Sequence, residues 1–390
     1  MPMTSRERVL TALAHEEPDR VPIVLGVSNA TGIKMGAYRA LRTRLGMASG
    51  EAGAHLYDWP ELGTAAPDEA ILRRLHVDVR GVLDLEPAAV LERNRNRPAH
   101  SDYVNSWGSG AVEIAPGEWF PMVEPLADAR TIEAVETYPW PDMDDPSRVA
   151  HMAAQAAALA ASGEHAIVVT PWLLFPLERA FAMQGMDRFL MNVALEPEFA
   201  AALLRRITDL CIRLMDHVLE AVGPNVDIVK IGDDLGTQQS LLMSPAMYRS
   251  LLKPLHAELI GAIRRRTSAK VLFHSDGDVF PLIDDLVEIG VDILNPIQTS
   301  AGRMSDLATL KERYGKLLAF CGGVDTQRIL PHARPAEVAA EVRRVIDVLG
   351  PGGGYLLSSV HTVMNDVPAD NILAMVDAAV AHRIRPAAAA

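Results

Sequence analysis

The sequence predicts an α/β protein, a (β/α)8 TIM-type barrel, and three observations carry that expectation. Eight short apolar runs, each closed by glycine or polar residues, recur along the 390-residue chain. Helical patterns separate the later runs, and strands alternating with helices must run parallel because each crossover returns the chain to the same end of the sheet. The glycine fingerprints of doubly wound nucleotide-binding sheets are missing: no GxGxxG follows the first run, and GxxxxGK[ST] occurs nowhere. Eight parallel strands suit closure into a barrel better than an open sheet.

The elements follow in order. Thr4 and Ser5 with Glu7 mark a helix start, Val9, Leu10 and Leu13 keep helical spacing, and Pro18 ends an N-terminal helix over 4–15. The strand candidates are VPIVLG (21–26), VDVRGVL (77–83), HAIVVTP (165–171), VDIVKIGDD (226–234), KVLFHSDG (270–277), VDILNPIQ (291–298), LLAFCGGVD (317–325) and GYLLSSVH (354–361). AELIGAIRRRT, PLIDDLVEIG and PAEVAAEVRRVIDVLG read as the helices between the later strands, and HMAAQAAALAASG as a further helix. Residues 100–146 break the rhythm. Alternating apolar positions around an Ala-Pro-Gly turn predict a β-hairpin insertion near 100–125, then a short helix, acting as a lid or a packing brace. The whole chain, 1–390, is expected to form one barrel domain, with a frayed PAAAA end.

Composition narrows the function. A net charge of −13 without a basic tract argues against nucleic acid, since phosphate binding needs clustered Lys and Arg; Arg264, Arg265 and Arg266 fit a solvated helix end. No signal-like h-region and no membrane-length apolar run occurs, so a soluble, cytoplasmic protein without membrane partners is expected. The two cysteines, Cys211 and Cys321, are far apart and form no CxxC pattern, which fits a reduced compartment; Cys211 lies in a helical pattern and reads as core.

In a barrel the C-terminal strand ends meet on one face, where the βα loops build the site. The fourth strand ends in Asp233 and Asp234, with Gln238 beyond. The fifth ends in His274, Ser275 and Asp276, the sixth in Asn295 and Gln298, the seventh in Cys321, Gly322, Gly323, Asp325 and Gln327, and the eighth in Ser358, Ser359 and His361. Each has a plainer reading: one of Asp233 and Asp234 caps the following helix, His361 bonds a loop, Cys321 packs in the core, and PGGG (351–354) ends a helix. Five consecutive polar strand ends nonetheless point to a pocket. His274 and Asp276 form the tightest pair, because residues i and i+2 share a strand face. They suit either a metal with an open position, Zn²⁺ being the commonest match, or an imidazole oriented by a carboxylate for acid–base work. Cys321 would be a further metal ligand in its thiolate form.

Several long motifs occur together and in order: DRVPIVLG, IGDDLGTQQSLLMSPAMYRSLLKPLH, FHSDGDVFPLIDDLVEIGVDILNPIQ, FCGGVDTQRILP and GPGGGYLLSSVHTVMNDVPADNI. The chain thereby resembles the uroporphyrinogen decarboxylase-like superfamily over essentially its whole length, and the resemblance implies a (β/α)8 barrel. It looks more like the corrinoid-linked methyltransferase branch than the true decarboxylase. The decarboxylase's Arg-Gln-Ala-Gly-Arg signature, which holds tetrapyrrole propionates, is replaced by GVSNATGIKMGAYRALR. The methyltransferase branch often carries His-x-Cys on the fifth strand as part of a zinc site. Here those positions are His274 and Asp276, the later zinc cysteine falls near Gly353, and Cys321 is not at that position.

The resemblance implies methyl transfer between a small methylated or methoxylated substrate and a corrinoid (cobalamin) on a partner protein. Asp233, Asp234, His274 and Asp276 would be catalytic, and Gln238, Asn295, Gln298, Cys321, Asp325 and His361 would hold substrate. His274, Asp276 and Cys321 would bind a metal, zinc being the first candidate, and a homodimer would be in keeping. A decarboxylase or metal-assisted lyase acting on a small carboxylic acid, and a non-catalytic small-molecule-binding protein, are the alternatives.

Overall fold

Seven parallel strands form a curled sheet in the order β1-β5-β6-β7-β8-β9-β10: β1 Val79–Leu83, β5 Ala166–Thr170, β6 Ile228–Gly232, β7 Lys270–His274, β8 Ile293–Ile297, β9 Ala319–Val324 and β10 Tyr355–Ser359. The computed structural model describes residues 3–47, 63–98, 101–115, 118–171 and 175–384. The eighth expected strand, at 21–26, contracts to a single parallel bridge, Ile23 with Leu357. It still occupies the seam between the sheet's two edges. Val24 N donates to Leu357 O, Leu357 N to Pro22 O, and Asp78 N to Ile23 O. The ring is therefore closed by a segment too short to count as a strand, and the fold is the TIM-like α/β architecture that the strand count implies.

One local rule sets the register at the N-terminal rim. Three strands are preceded by Val-Asp: Val77-Asp78, Val226-Asp227 and Val291-Asp292. Each aspartate's backbone N–H donates to the neighbouring segment at Ile23, Ile167 or Val271 respectively. Its Oδ2 accepts the N–H of that same residue, at 2.8, 2.9 and 2.7 Å. Residue 23 is treated as β5 and β7 are treated, which identifies 22–24 as the missing stave. Each carboxylate is also paired with cations: Asp78 with Arg8 and Arg20, Asp227 with Arg6, and Asp292 with Arg264 and Lys270.

The N-terminal helix, Ser5–Leu13, starts with the expected capping box between Thr4 and Glu7. It packs across the bottom of the barrel, where Gly354 N donates to Ala12 O. The PGGG segment thus does more than end the helix Pro335–Leu349. Helices Met152–Ser162, Pro197–Val222 and Lys253–Arg266 lie among the outer elements, and Cys211 is fully buried within the second of these.

The insertion is a three-stranded antiparallel sheet, β2 Tyr103–Val104, β3 Gly110–Ala115 and β4 Glu118–Val123, one strand more than a hairpin, followed by the expected helix Ile132–Thr137. Pro116 and Gly117 of its turn, like the terminal PAAAA, lie outside the described residues. Its inner end is a brace: Trp107 is buried, meets Trp140 edge-on, and stacks under the guanidinium of buried Arg179. No helix among the described residues is long and apolar enough to cross a membrane.

Asp78 has no exposed surface and holds two largely buried arginines. Removing one partner leaves buried charge uncompensated, so Asp78→Ala is expected to cost roughly 3–5 kcal/mol. Urea unfolding followed by far-UV circular dichroism measures it.

Candidate functional site

The C-terminal rim gathers its side chains because each lies at or just beyond the end of a parallel strand. His274 closes β7, in register with Gly232 of β6 and Asn295 of β8. Gly232 is required there, since a Cβ would lie 2.2 Å from the carbonyl oxygen of His274. The turn after β7 is fixed on every side rather than merely solvated. Ser275 N donates to Asn295 O, Asp276 N to Asp234 Oδ1 at 2.8 Å, Gly277 N to Gln298 Oε1 at 2.6 Å, and Asp278 N to Thr237 O. Ser275 Oγ accepts Leu235 N–H at 2.9 Å. Gly277, at φ +90°, passes so close to the backbone of Gly236 and Thr237 that no side chain fits.

His274, Asp276 and His361 form the one group among the described residues in which three metal-ligating side chains each offer an atom within 4.8 Å of the others. His361, two residues beyond β10, lies with its ring 5.7 Å from that of His274 and its Nε2 3.7 Å from Asp276 Oδ2. The expected third metal ligand, Cys321, is not in this group. It is wholly buried in β9, burial pushes its thiol up to about 12, and its carbonyl accepts Asn295 Nδ2–H at 3.3 Å. That contact orients the amide, so Asn295 Oδ1 faces His274 Nδ1 at 2.8 Å and must accept its proton. The Nε2 lone pair of His274 is thereby directed away from Asn295, as an outer hydrogen-bond partner does for a metal-bound imidazole.

The electrostatics suit neutral imidazoles beside an excess of acid. Burial, reinforced by Lys230 and His361, holds His274 well below the ordinary histidine range. His361 is lowered to about 4 by burial and by Lys230 and Lys34, against Asp234. Burial and the charge of Asp234 raise Asp276 to about 8, and its Oδ1 is buried without a hydrogen-bond partner. Glu178, hydrogen-bonded to Asp234, is raised well above its usual range by burial and by Asp234 and Asp233. Lys230 is lowered to about 8 by burial, against Glu178, Asp234 and Asp276. Three carboxyl groups thus converge around one lysine, and a divalent cation would offset the surplus. Two neutral imidazoles and the carboxyl group of Asp276, one oxygen of which is buried without a partner, fit such an ion.

The other expected residues divide by location. Asp233 is spent on architecture. Its carboxylate accepts the N–H groups of Leu177 and Glu178, each at 2.9 Å, and lies 2.9 Å from His256 Nε2. It therefore caps Pro176–Gln184, the helix that follows the neighbouring strand β5, and not the one after its own strand. Asp234 faces the cluster, with Oδ1 3.9 Å from His274 Nε2. Gln298 holds the β7 turn, and Asp325 caps its own turn through the N–H groups of Gln327 and Arg328. Gln238 is exposed on the rim. Glu178, Lys230 and His256 were not among the expected residues. The signal for Lys230 was present, a lysine inside the apolar run VDIVKIG. Glu178 and His256 lie in helices and carried none.

A model of the family described as uroporphyrinogen decarboxylase (URO-D) matches residues 107–382. The chain belongs to the uroporphyrinogen decarboxylase family. It is 25% identical over 395 residues to a uroporphyrinogen decarboxylase of Alkalilimnicola ehrlichii, covering 99% of this chain and 96% of that one. A uroporphyrinogen decarboxylase of Mannheimia succiniciproducens is 24% identical over 256 residues, 64% of this chain and 68% of that one. Among solved structures, a methyltransferase from Methanosarcina mazei superposes with a TM-score of 0.63 at 18% identity, covering 97% of this chain and 98% of that one. At that identity the likeness speaks for the fold alone.

Asn295→Leu removes the acceptor that holds His274 Nδ1–H. A fall of roughly 10–100-fold in divalent-metal affinity is expected, as for other outer-shell partners of metal-bound histidine, measured by isothermal titration calorimetry.

Proposed function

We propose that the protein is a metal-assisted methyltransferase that moves a methyl group between the oxygen of a small methylated substrate and a corrinoid carried by a separate protein. The observation that carries the reading is the cluster of His274, Asp276 and His361 at the barrel mouth, ringed by Asp234, Glu178 and Lys230. The Methanosarcina methyltransferase with the same fold supports the reaction class. The arginine-rich signature that would hold the propionates of a tetrapyrrole is absent, which disfavours that substrate.

His274, Asp276 and His361 would hold the metal, which when bound supplies Lewis-acid polarisation of the substrate oxygen. Asn295 keeps His274 in the tautomer with Nε2 unprotonated. Gln298 and Asp234 hold the turn that carries Asp276. Glu178, hydrogen-bonded to Asp234 and held well above the ordinary carboxyl range by burial and by Asp234 and Asp233, is suited to protonate an oxygen as its methyl leaves and to take the proton back in the reverse direction. Lys230 offsets part of the charge that three neighbouring carboxyls create.

The test is spectrophotometric. Purified protein is incubated with cob(I)alamin and a panel of small methyl ethers, or with methylcobalamin and the demethylated acceptors. A change in cobalamin absorbance is expected with the wild type, and a loss of roughly 100-fold or more in rate with Glu178→Gln, at the scale of a removed general acid. Carbon dioxide release from a carboxylic acid without any corrinoid would instead support the decarboxylase reading.

A further inference from the structure

We infer that Tyr248 and His256, brought onto one face by a π-helical turn, form with Asp233 a buried relay that fixes Glu178 against Asp234 at the barrel mouth. The proposal rests on the reading of Glu178 as the proton donor and adds the positioning residues behind it.

The relay begins with a missing cap. The helix Pro176–Gln184 is preceded by Phe175, which offers no side-chain acceptor to its first turn. Asp233, just beyond the neighbouring strand β6, supplies one. Its two oxygens take Leu177 N–H and Glu178 N–H, while Asp234 hydrogen-bonds the Glu178 carboxyl. Two adjacent residues thus grip Glu178 by its backbone and by its side chain. Alternation along the chain sends their own side chains opposite ways, Asp234 to the mouth and Asp233 to the packed layer behind it.

Behind Asp233 stands His256. Its Nε2 lies 2.9 Å from Asp233 Oδ2, the oxygen that also accepts Leu177 N–H, and its Nδ1 lies 3.4 Å from the Tyr248 hydroxyl. A carboxylate only accepts, so Nε2 carries the proton and Nδ1 accepts from Tyr248. Phe273 of β7 meets the imidazole edge-on, with 5.1 Å between ring centres. Tyr248 and Asp233 have no exposed surface, and His256 has almost none.

The helical run 245–266 is shaped for this contact. Lys253 N donates to Tyr248 O, five residues back, so Tyr248–Leu252 is a π turn with one residue more than an α turn. Pro254 follows it; its ring would strike the Ser250 carbonyl of a regular helix, and the wider turn makes room. Eight residues of unbroken α-helix would set Tyr248 and His256 about 80° apart round the axis. The inserted residue makes the pair equivalent to a spacing of seven, within about 20°. A cap alone needs neither the hydroxyl nor the turn.

The first test needs no turnover. Infrared difference spectra between each protein and its Glu178→Gln counterpart, both labelled with isotopic glutamate, isolate the carboxyl vibration of Glu178. The band is expected to shift in His256→Leu, to return in His256→Gln, whose amide N–H replaces Nε2–H, and to move in the same direction in Tyr248→Phe. Tyr248→Phe, which loses a single hydroxyl, decides alone if His256→Leu lacks native circular dichroism. A band unmoved in either folded variant, or shifted equally in His256→Gln, overturns the relay. The cobalamin assay supplies the second test. His256→Leu should lower kcat roughly 100-fold with KM unchanged, the scale of a catalytic group misplaced by about an ångström. In the Glu178→Gln background it should cost nothing further. Losses that multiply, as from a merely structural residue, overturn the relay. No transfer by the wild type removes the reaction and leaves the infrared result to decide the relay.

Discussion

The ring closes on one buried carboxylate. Asp78 accepts Ile23 N–H, Arg8 and Arg20 with no exposed surface of its own, and through those bonds a segment too short to be a strand becomes the last stave of the barrel. A carboxylate taken out of water is costly unless its lone pairs are filled. Here two guanidinium groups and a backbone amide fill them. If the seam between β10 and β1 opened, the polar ends of β6 to β10 would splay apart, and the distances within the rim cluster would no longer be set.

The two ends of the barrel use aspartate in opposite ways. At the N-terminal rim Asp78, Asp227 and Asp292 are saturated by backbone amides and cations, so their charge is consumed by register. At the C-terminal rim Asp276 keeps a buried oxygen without a partner, and Glu178 is held above its normal range by the acids beside it. Structure alone does not call for such a deficit, whereas chemistry exploits it. Asp233 and Asp234 show the contrast in adjacent residues: the first is buried in a cap, and the second faces the cluster.

The barrel was legible because strand and helix periodicities alternate so regularly. The terminal stave was overestimated for a physical reason. VPIVLG is apolar enough to be buried, but only residues 22–24 meet both edges of the sheet. At the site, His274 and Asp276 could be paired from their i, i+2 spacing. His361 was placed among substrate-binding residues because nothing local ties it to a strand more than eighty residues earlier; only closure of the ring brings it beside them. Cys321 was drawn into the ligand set by its chemical type, although alternation along β9 turns its thiol into the core. Asp233 illustrates the same limit, since sequence offers it the helix after its own strand and the fold gives it the one after the neighbouring strand β5.

The central claim is that the two histidines and Asp276 together hold a metal ion. Elemental analysis of purified, buffer-exchanged protein measures this most directly, on the wild type and on His274→Ala and His361→Ala. About one first-row divalent ion per chain is expected in the wild type, falling toward zero in both variants as befits a three-ligand site. A wild-type protein that carries no such ion and takes none up on dialysis against Zn²⁺, Fe²⁺ or Co²⁺ would contradict it. So would a full complement of metal retained by both variants.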